Sequence, residues 1–463
     1  MGEDVKGGMQ LNNFWKLVVG SSILIGAIIF IVFPKDAVIF FATIKMLFVY
    51  FWWLILPFPM WYIWEMMWFE QVIGAWLGEK EYVILELFPP NDIEKSPKIM
   101  EHVFAGVNDY STPNRLEYHC GWRILQPRIT FEITGDEGNI HFYIRCVKNI
   151  RDNVEAQIYS HYPDMEIIEV DDYVKKAPKN IPNAKWDVWG ATLDLVANDA
   201  VPIRTYKQFQ EEVTGKMIDP LANMIEVMSS LPRGQHIWFQ ILLEAEKPSI
   251  WHPVSKAYVE QVIQEAMGES SNKSKLPFAK FFQELKLIPE NVIRGFFKDN
   301  ELSSPSNDEA ESLEFNINKL PPGTQEKIKA IYENISKPGF KTVIRFVYFG
   351  TRDNYNKALG VAGLMGSLNQ MADINLNDLI PSAKTKTFAN YYFDEERLLR
   401  RKRKIINDYK SRDGAGLWNI FTTEELATLY HFPDMAIKNP SIIRVESRKE
   451  DAPADLPTGV EFN

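Results

Sequence analysis

The sequence has very little cysteine. Only Cys120 and Cys146 occur among 463 residues, and they lie in unlike sequence contexts. Two such residues argue against a disulfide framework or a zinc cluster. Bystander thiols of this kind are typical of a cytoplasmic domain, and we expect them to serve as small apolar side chains.

The sequence also lacks the motifs of common nucleotide-binding and hydrolytic sites. No His-Glu-x-x-His, Gly-x-Ser-x-Gly or Cys-x-x-Cys motif occurs. Gly215 and Lys216 form a Gly-Lys pair, but a phosphate loop would need a glycine in place of Gln210 and a serine or threonine in place of Met217. These absences exclude a phosphate-loop nucleotidase and the hydrolases that use those motifs.

The remaining reactive side chains do not form a catalytic group. His119 stands beside Cys120, and His141 lies on the polar side of a predicted hairpin; we expect structural roles for all three. Two pairs of neighbouring acids also occur, Asp171-Asp172 and Glu211-Glu212. Adjacent residues of a strand point apart, so neither pair needs to form an acid–base dyad. We predict a non-enzymatic protein without catalytic residues, cofactors or metal sites; an enzyme with a pocket lined by His119, Cys120 or His141 is the alternative.

The charge balance is acidic. The chain carries 51 Lys and Arg against 61 Asp and Glu, a formal net charge of −10. This balance argues against a dedicated nucleic-acid coat, although a local basic patch could still contact phosphate. Its 46 % hydrophobic content is ample for folded cores.

The N-terminal region is strongly apolar. Residues 17–33 form an uncharged run long enough to cross hydrocarbon, 46–64 form a second run, and the tryptophan-rich stretch 65–78 suits an interfacial helix. No small-x-small cleavage site closes the first run, which disfavours a signal peptide. We predict a membrane anchor over residues 1–80, with two transmembrane segments plus an interfacial helix; one long tilted helix is the alternative for the second run.

Alternating apolar residues then predict an α+β body. Residues 127–173 read as a half-buried antiparallel hairpin, a helix and a strand. A strand at 82–87 and a helix at 96–107 precede them, which gives the order β-α-β-β-α-β. We therefore predict a first ferredoxin-like domain over residues 81–175.

The same order is predicted a second time over residues 186–388. The strands and helices of this second ferredoxin-like domain are expected at 186–205, 219–231, 236–245, 340–349, 353–372 and near Leu379-Ile380. A helical insertion at 248–339 separates its two middle strands, with helices at 253–267, 277–298 and 324–336. We expect this insertion to pack on itself; a partner-docking face is the alternative.

Three glycines stand out within the helix predicted at 353–372. Gly360, Gly363 and Gly366 recur every three residues, although glycine costs about 1 kcal/mol per helical position relative to alanine. Close approach of this helix to the sheet is the expected reason, and a phosphate cradle is the alternative.

A basic C-terminal helical segment is predicted over 389–443, followed by a flexible tail over 444–463. Its helix contains five consecutive basic residues, Arg400, Arg401, Lys402, Arg403 and Lys404. Such a run is usually a solvated helix face, and contact with lipid or nucleic acid is the alternative.

Four segments together resemble a known family. Residues 81–106, 129–170, 340–371 and 422–435 are similar to the membrane-anchored amino-terminal module, a domain of unknown function, that precedes the conjugative DNA-transfer ATPase of type IV secretion systems in small-genome bacteria. The resemblance covers residues 81 to about 457. In the relatives an ATPase motor, which holds the family's only well-defined catalytic residues, follows a segment like 444–457. The present sequence stops after this segment, so no catalytic residue can be carried over to it.

The resemblance implies a non-enzymatic, membrane-anchored accessory or scaffold subunit of a type IV secretion or conjugative DNA-transfer apparatus. Such a subunit would contact membrane lipid, would bind a separate secretion ATPase, further copies of itself or both, and would lie at the cell membrane with its soluble part in the cytoplasm. The rival hypothesis is a membrane-tethered nucleic-acid-binding module that uses the basic run 400–404. The expected fold is α+β: N-terminal transmembrane helices followed by two tandem ferredoxin-like units, the second with a helical insertion.

Overall fold

Nine strands in the described part of the chain form one antiparallel sheet. The computed structural model describes residues 42–43, 45–46, 49–50, 56–90, 96–108, 128–209, 218–266, 320–390, 392–414, 417–433, 442 and 444. The strands are β1 (Tyr82–Phe88), β2 (Ile129–Asp136), β3 (Asn139–Val147), β4 (Glu166–Val170), β5 (Trp186–Leu195), β6 (Gln235–Glu246), β7 (Gly339–Thr351), β8 (Leu379–Pro381) and β9 (Asn419–Thr422). Their order is β4-β1-β3-β2-β6-β7-β5-β8, and β9 pairs with β7 beyond the end of β5.

Helices cover both faces of this sheet. In chain order, the α-helices with defined bounds in the described part of the chain, whether or not they pack on the sheet, are α1 (Pro57–Gly78), α2 (Lys98–Gly106), α3 (Arg151–His161), α4 (Ala222–Ser229), α5 (Pro248–Ala266), α6 (Pro322–Ile335), α7 (Gly363–Leu368), α8 (Asp394–Ser411) and α9 (Thr423–Leu429). Helices α2, α3, α4, α7 and α9 contribute to the larger core on one face. Helix α8 and the short helix Tyr173–Lys176 cover the opposite face.

The prediction of two tandem ferredoxin-like units is wrong, because the strands of both predicted units belong to a single sheet. Strands β2 and β6 pair from Ile129 opposite Leu243 to Asp136 opposite His236. The larger core is also continuous through both halves. An edge strand offers unpaired N–H and C=O groups to any neighbour, and side-chain alternation does not specify which strand will take them.

The prediction of transmembrane helices is also wrong where the structure describes the chain. No described helix has the length and apolarity needed to cross a bilayer. Residues 17–33 lie outside the described residues, and 46–64 are described only in part. Helix α1 begins at Pro57 and runs without a break through the predicted boundary at residue 64. Its tryptophans, tyrosine, prolines and glutamates make it less apolar than a spanning helix.

The hairpin predicted within 127–173 is confirmed, but it is not half-buried. Strands β2 and β3 pair from Thr130 opposite Arg145 to Asp136 opposite Asn139. Almost every residue of β2 is buried, including Thr130, Glu132 and Thr134 on the side expected to face water. That side is buried because α8 and the short helix Tyr173–Lys176 pack over it.

The helices predicted at 253–267 and 324–336 are present as α5 and α6, while 277–298 lies outside the described residues. Val259 and Val262 of α5 share a small core with Ile328 and Ile331 of α6. Ala200 and Val201, which follow β5, belong to the same core. The two helices therefore pack on each other and on the body.

The glycine prediction is confirmed at one position. A Cβ atom on Gly360 would lie 2.3 Å from the ring of Tyr348 on β7, so only glycine fits at this approach of helix to sheet. On Gly366 a Cβ atom would meet open space. The repeat therefore has a packing reason at Gly360 that Gly366 does not share.

The segment after α8 returns through the core. Strand β9 extends the sheet beside β7, and α9 follows with a capping box between Thr422 and Glu425. Beyond α9, Tyr430 packs edge-on against Phe131 with ring centroids 5.1 Å apart, and Phe432 packs against Phe142 at 5.5 Å. Residues 419–432 thus join β7 to the hairpin β2–β3.

A buried ion pair fixes α8 to the sheet. Arg412, which caps the C-terminal end of α8, donates from Nε to Oε1 of Glu132 over 2.9 Å and from NH1 to Oδ2 of Asp172 over 2.7 Å. The Tyr173 hydroxyl and the Gln240 amide also donate to Glu132, each over 2.7 Å. Burial alone would raise the pKa of Glu132, but the Arg412 guanidinium and these hydrogen bonds outweigh it and lower the pKa.

Replacing Arg412 with methionine should lower the free energy of unfolding by about 3–5 kcal/mol, because Glu132 would remain buried without its cation. Urea denaturation followed by circular dichroism would measure the loss. The double variant Glu132→Gln/Arg412→Met should lose less than the sum of the two single variants, since the uncompensated charge is gone. Additive losses would show that the pair is not coupled.

Candidate functional site

Helix α8 carries the basic run 400–404, for which contact with lipid or nucleic acid is the alternative to a solvated helix face. Acidic residues, Asp394, Glu395 and Glu396, occupy its first turn, and Lys410 occupies its last turn. Charges of these signs at the two ends interact favourably with the helix dipole and stabilise the helix. Its buried side, Ile405, Ile406 and Tyr409, packs on the sheet. The opposite side of the helix faces outward.

The five residues of the basic run divide into two groups. Arg400, Arg403 and Lys404 are exposed, and their spacing of three and four residues places them on one side of the helix. Lys402 binds Asp187 of β5, with Nζ 2.6 Å from Oδ1. Arg401 donates to the carbonyl oxygens of Lys386, over 3.3 Å, and of Phe388. Arg401 and Lys402 therefore hold α8 in place, and only the other three can meet a partner freely.

One further exposed cation, Arg397, was missed from the sequence, although the helical spacing of the basic residues could have identified it. Arg397 lies three residues before Arg400 and seven before Lys404, on the same side of α8. Its NH1 donates to the carbonyl oxygen of Asn390 over 3.2 Å, so it also steadies the start of the helix.

Exposed aromatic residues adjoin the start of α8. Tyr392 is 88 % exposed and Phe393 is 75 % exposed, and Phe388 lies in the segment that Arg401 binds. Phe393 adopts a left-handed backbone conformation with φ of 56° at the point where the helix begins. Aromatic residues thus lie beside a cationic helix face.

A second exposed surface is the first half of α1. Eight of its apolar or aromatic residues are 47–64 % exposed: Met60, Trp61, Tyr62, Ile63, Trp64, Met66, Met67 and Trp68. They point in every direction around the helix. The rings of Trp64 and Trp68 stack with centroids 5.7 Å apart. No extended contact joins α1 to another described helix or strand.

Among the histidines and cysteines considered in the sequence, His141 and Cys146 lie in the described part of the chain. His141 binds Glu86, with Nδ1 2.6 Å from Oε1, and burial raises the pKa of the Cys146 thiol to about 12. His119 and Cys120 lie outside the described residues. No group of three or more His, Cys, Asp or Glu in the described part of the chain is arranged to hold a metal ion.

Of the two pairs of neighbouring acids, the structure describes Asp171-Asp172. Asp172 binds Arg412, whereas its neighbour Asp171 is exposed with Oδ1 3.6 Å from Nζ of Lys175. The pair therefore forms no dyad. Glu211-Glu212 lies outside the described residues.

An ionic cluster holds α9 against α2. Glu424 at the start of α9 binds Lys337, and its Oε2 lies 2.7 Å from Nζ of Lys207. Lys337 also lies 3.5 Å from Oε1 of Glu101 on α2, which accepts a hydrogen bond from Tyr206 over 2.8 Å. Burial lowers the pKa of Lys337 to about 8 against the attraction of Glu101. The carboxylates of Glu101 and Glu424 both bind the Lys337 amine, so we interpret the cluster as a structural contact between α2 and α9.

Glu425 is a buried titratable group in the same region. Its carboxylate accepts hydrogen bonds from the backbone of Ile203 over 3.1 Å and from the backbone of Thr422 over 2.9 Å. Burial nevertheless raises the pKa of Glu425 to about 7. The packing of α9 therefore depends on a group that titrates near neutrality.

Comparison with known protein families gives a match over most of the body. A family model described as Domain of unknown function (DUF8128) matches residues 76–444. No curated protein matches the chain. The description assigns no activity, so the resemblance to a module of type IV secretion systems remains a prediction.

Stability should fall as the pH rises from about 4.5 to about 7, because Glu425 binds its proton more tightly in the folded chain than in the unfolded chain. The folded pKa is raised, so this stabilising contribution is complete below pH 4.5 and is lost as the pH passes through 7. The change should reach about 3 kcal/mol. Urea denaturation at a series of pH values would measure it.

The control for this prediction is Glu425→Gln, which cannot titrate. Its amide loses part of the capping interaction, so the variant should be less stable at low pH, but its stability should change less between pH 4.5 and 7. Equal slopes for the two proteins would contradict the assignment.

Proposed function

We propose that this chain, which belongs to the DUF8128 family, is a scaffold that works at a membrane surface. In this proposal α1 lies in the lipid interface and the single-sheet body serves as a binding platform. The observation that carries the proposal is the exposure of the aromatic and apolar side chains around the first half of α1. A helix that exposes large apolar and aromatic side chains on all sides needs an environment less polar than water.

The residue types on α1 favour the bilayer interface. Trp61, Trp64 and Trp68 combine a large apolar ring with an N–H donor, which suits the boundary between headgroups and acyl chains. Burial of apolar area stabilises by about 25 cal/mol per Å², so each half-exposed tryptophan could add roughly 2 kcal/mol on insertion. Glu65 within this stretch disfavours the hydrocarbon centre and suits a position near the headgroups.

The scaffold part of the proposal draws on the sheet edge. Strand β4 is first in the strand order, so one of its edges pairs with no other described strand. Ile168 on β4 is 41 % exposed, and Glu166 is exposed as well. An edge of this kind can accept a strand from another chain, while the charge of Glu166 limits non-specific pairing.

A fluorescent probe on α1 tests the lipid contact directly. We would place a single cysteine at Trp64→Cys in a Cys120→Ser background, in which Cys146 is buried, and label it with an environment-sensitive dye. Vesicles of phosphatidylcholine that contain lipid-attached quenchers should reduce the emission of this probe several-fold. The position is well suited because Trp64 is 53 % exposed.

The matched control is Tyr332→Cys on α6, since Tyr332 is 52 % exposed on a helix of the body. Its probe should not be quenched by the same lipids. A Trp64 probe that stays unquenched while the chain floats with vesicles would refute an interfacial role for α1. A probe that responds to protein concentration without lipid, and not to vesicles, would show that a second copy covers α1.

A further inference from the structure

The charge of this acidic chain is unevenly distributed. Two segments cover the sheet face that carries Glu132, namely residues 173–185 and helix α8. Together they contain eleven Lys and Arg but only four Asp and Glu, although the whole chain has a net charge of −10. Residues 173–185 contain four of these lysines and no acid.

The two segments are neighbours. The Tyr173 and Tyr409 hydroxyls lie 2.8 Å apart, and Nζ of Lys410 donates to the carbonyl oxygen of Pro178 over 3.5 Å. Both segments pack on the same side of the sheet, so their exposed side chains lie on the same outer side of the molecule. We call this surface the basic face; its exposed members are Lys175, Lys176, Lys179, Lys185, Arg397, Arg400, Arg403 and Lys404.

The basic face is held rigidly. Arg345 of β7 donates to the carbonyl oxygens of Asp408 and Asp413 at the end of α8, and Arg412 is fixed by Glu132. The middle of α8 is fixed by the ion pair between Lys402 and Asp187. A preorganised array of cations loses less side-chain and backbone entropy on binding than a mobile segment does.

We infer that the basic face binds the headgroups of anionic phospholipids. Its cations are spread over a helix and an adjoining segment, which suits an array of headgroups, and Tyr392 and Phe393 at the start of α8 are exposed aromatic residues of the type found at bilayer interfaces. The inference rests on the proposed function in one respect: α1 would hold the chain at a bilayer and so raise the effective concentration of headgroups.

A probe on α8 tests this inference separately from α1. We would label Asn407→Cys, an exposed residue on the outer side of α8, in the Cys120→Ser background. With headgroup-level quenchers, vesicles of phosphatidylcholine alone should leave this probe unchanged. Vesicles with about one third phosphatidylserine should quench it at least five-fold more at low salt, and 0.5 M NaCl should remove most of the difference because salt screens the attraction.

The variant Arg400→Glu/Arg403→Glu/Lys404→Glu should lose the response to phosphatidylserine. The matched control reverses three exposed lysines of other helices, Lys98→Glu/Lys256→Glu/Lys329→Glu, and should keep it. Both variants change the net charge equally, so a difference between them reports position and not total charge. Circular dichroism would confirm that each variant is folded.

The outcomes separate the two proposals. An α8 probe that ignores phosphatidylserine while the Trp64 probe is quenched would overturn the basic-face inference and leave the proposed function intact. A Trp64 probe that is never quenched, with an α8 probe that responds to phosphatidylserine, would support the basic face and refute the role of α1. An α8 probe that ignores phosphatidylserine but responds to an oligonucleotide in a salt-dependent way would overturn the lipid inference in favour of nucleic acid.

Discussion

The arrangement of the outer layer depends on the buried pair formed by Glu132 and Arg412. Glu132 lies on β2 and Arg412 at the end of α8, with both side chains almost completely buried. A charge at this depth is tolerated only with its partner and with further hydrogen bonds, which Tyr173, Gln240 and Asp172 provide. The pair therefore fixes where α8 ends on the sheet. The outward direction of the basic face follows from that fixed position.

The same pair lies beside the line where the two halves of the sheet meet. Gln240 on β6 pairs directly with Glu132 on β2 and donates to its carboxylate. Arg345 on β7 is opposite Gln240 and binds the end of α8. A row of polar side chains thus crosses the seam under one helix. Strands far apart in sequence must come together before Gln240 can bind Glu132 and Arg345 can bind the end of α8, so these contacts favour the single sheet over two separate halves.

Local pattern was enough to predict the hairpin β2–β3, helices α5 and α6, and the close approach at Gly360. It failed for contacts between distant segments. Alternation showed that Glu132 faces away from the apolar side, but the partner that buries it is 280 residues later in the chain. The run 400–404 could not be divided from sequence, because the division depends on Asp187 and on the carbonyl oxygens of Lys386 and Phe388. For the second predicted span, 46–64, apolar length was given more weight than the polar and aromatic residues at its end, which belong to α1.

The uneven charge distribution gives the two proposed surfaces different roles in membrane binding. The eleven basic and four acidic residues of the outer layer leave the remainder of the chain strongly acidic, since the total is −10. Near an anionic bilayer the acidic remainder is repelled and the basic face is attracted, and this orients the molecule even before any contact forms. Hydrophobic contact by α1 would contribute binding free energy that does not depend on the charge of the lipid headgroup. The basic face would orient the molecule and select anionic lipids. The two surfaces would therefore contribute a hydrophobic and an electrostatic part of the same binding free energy.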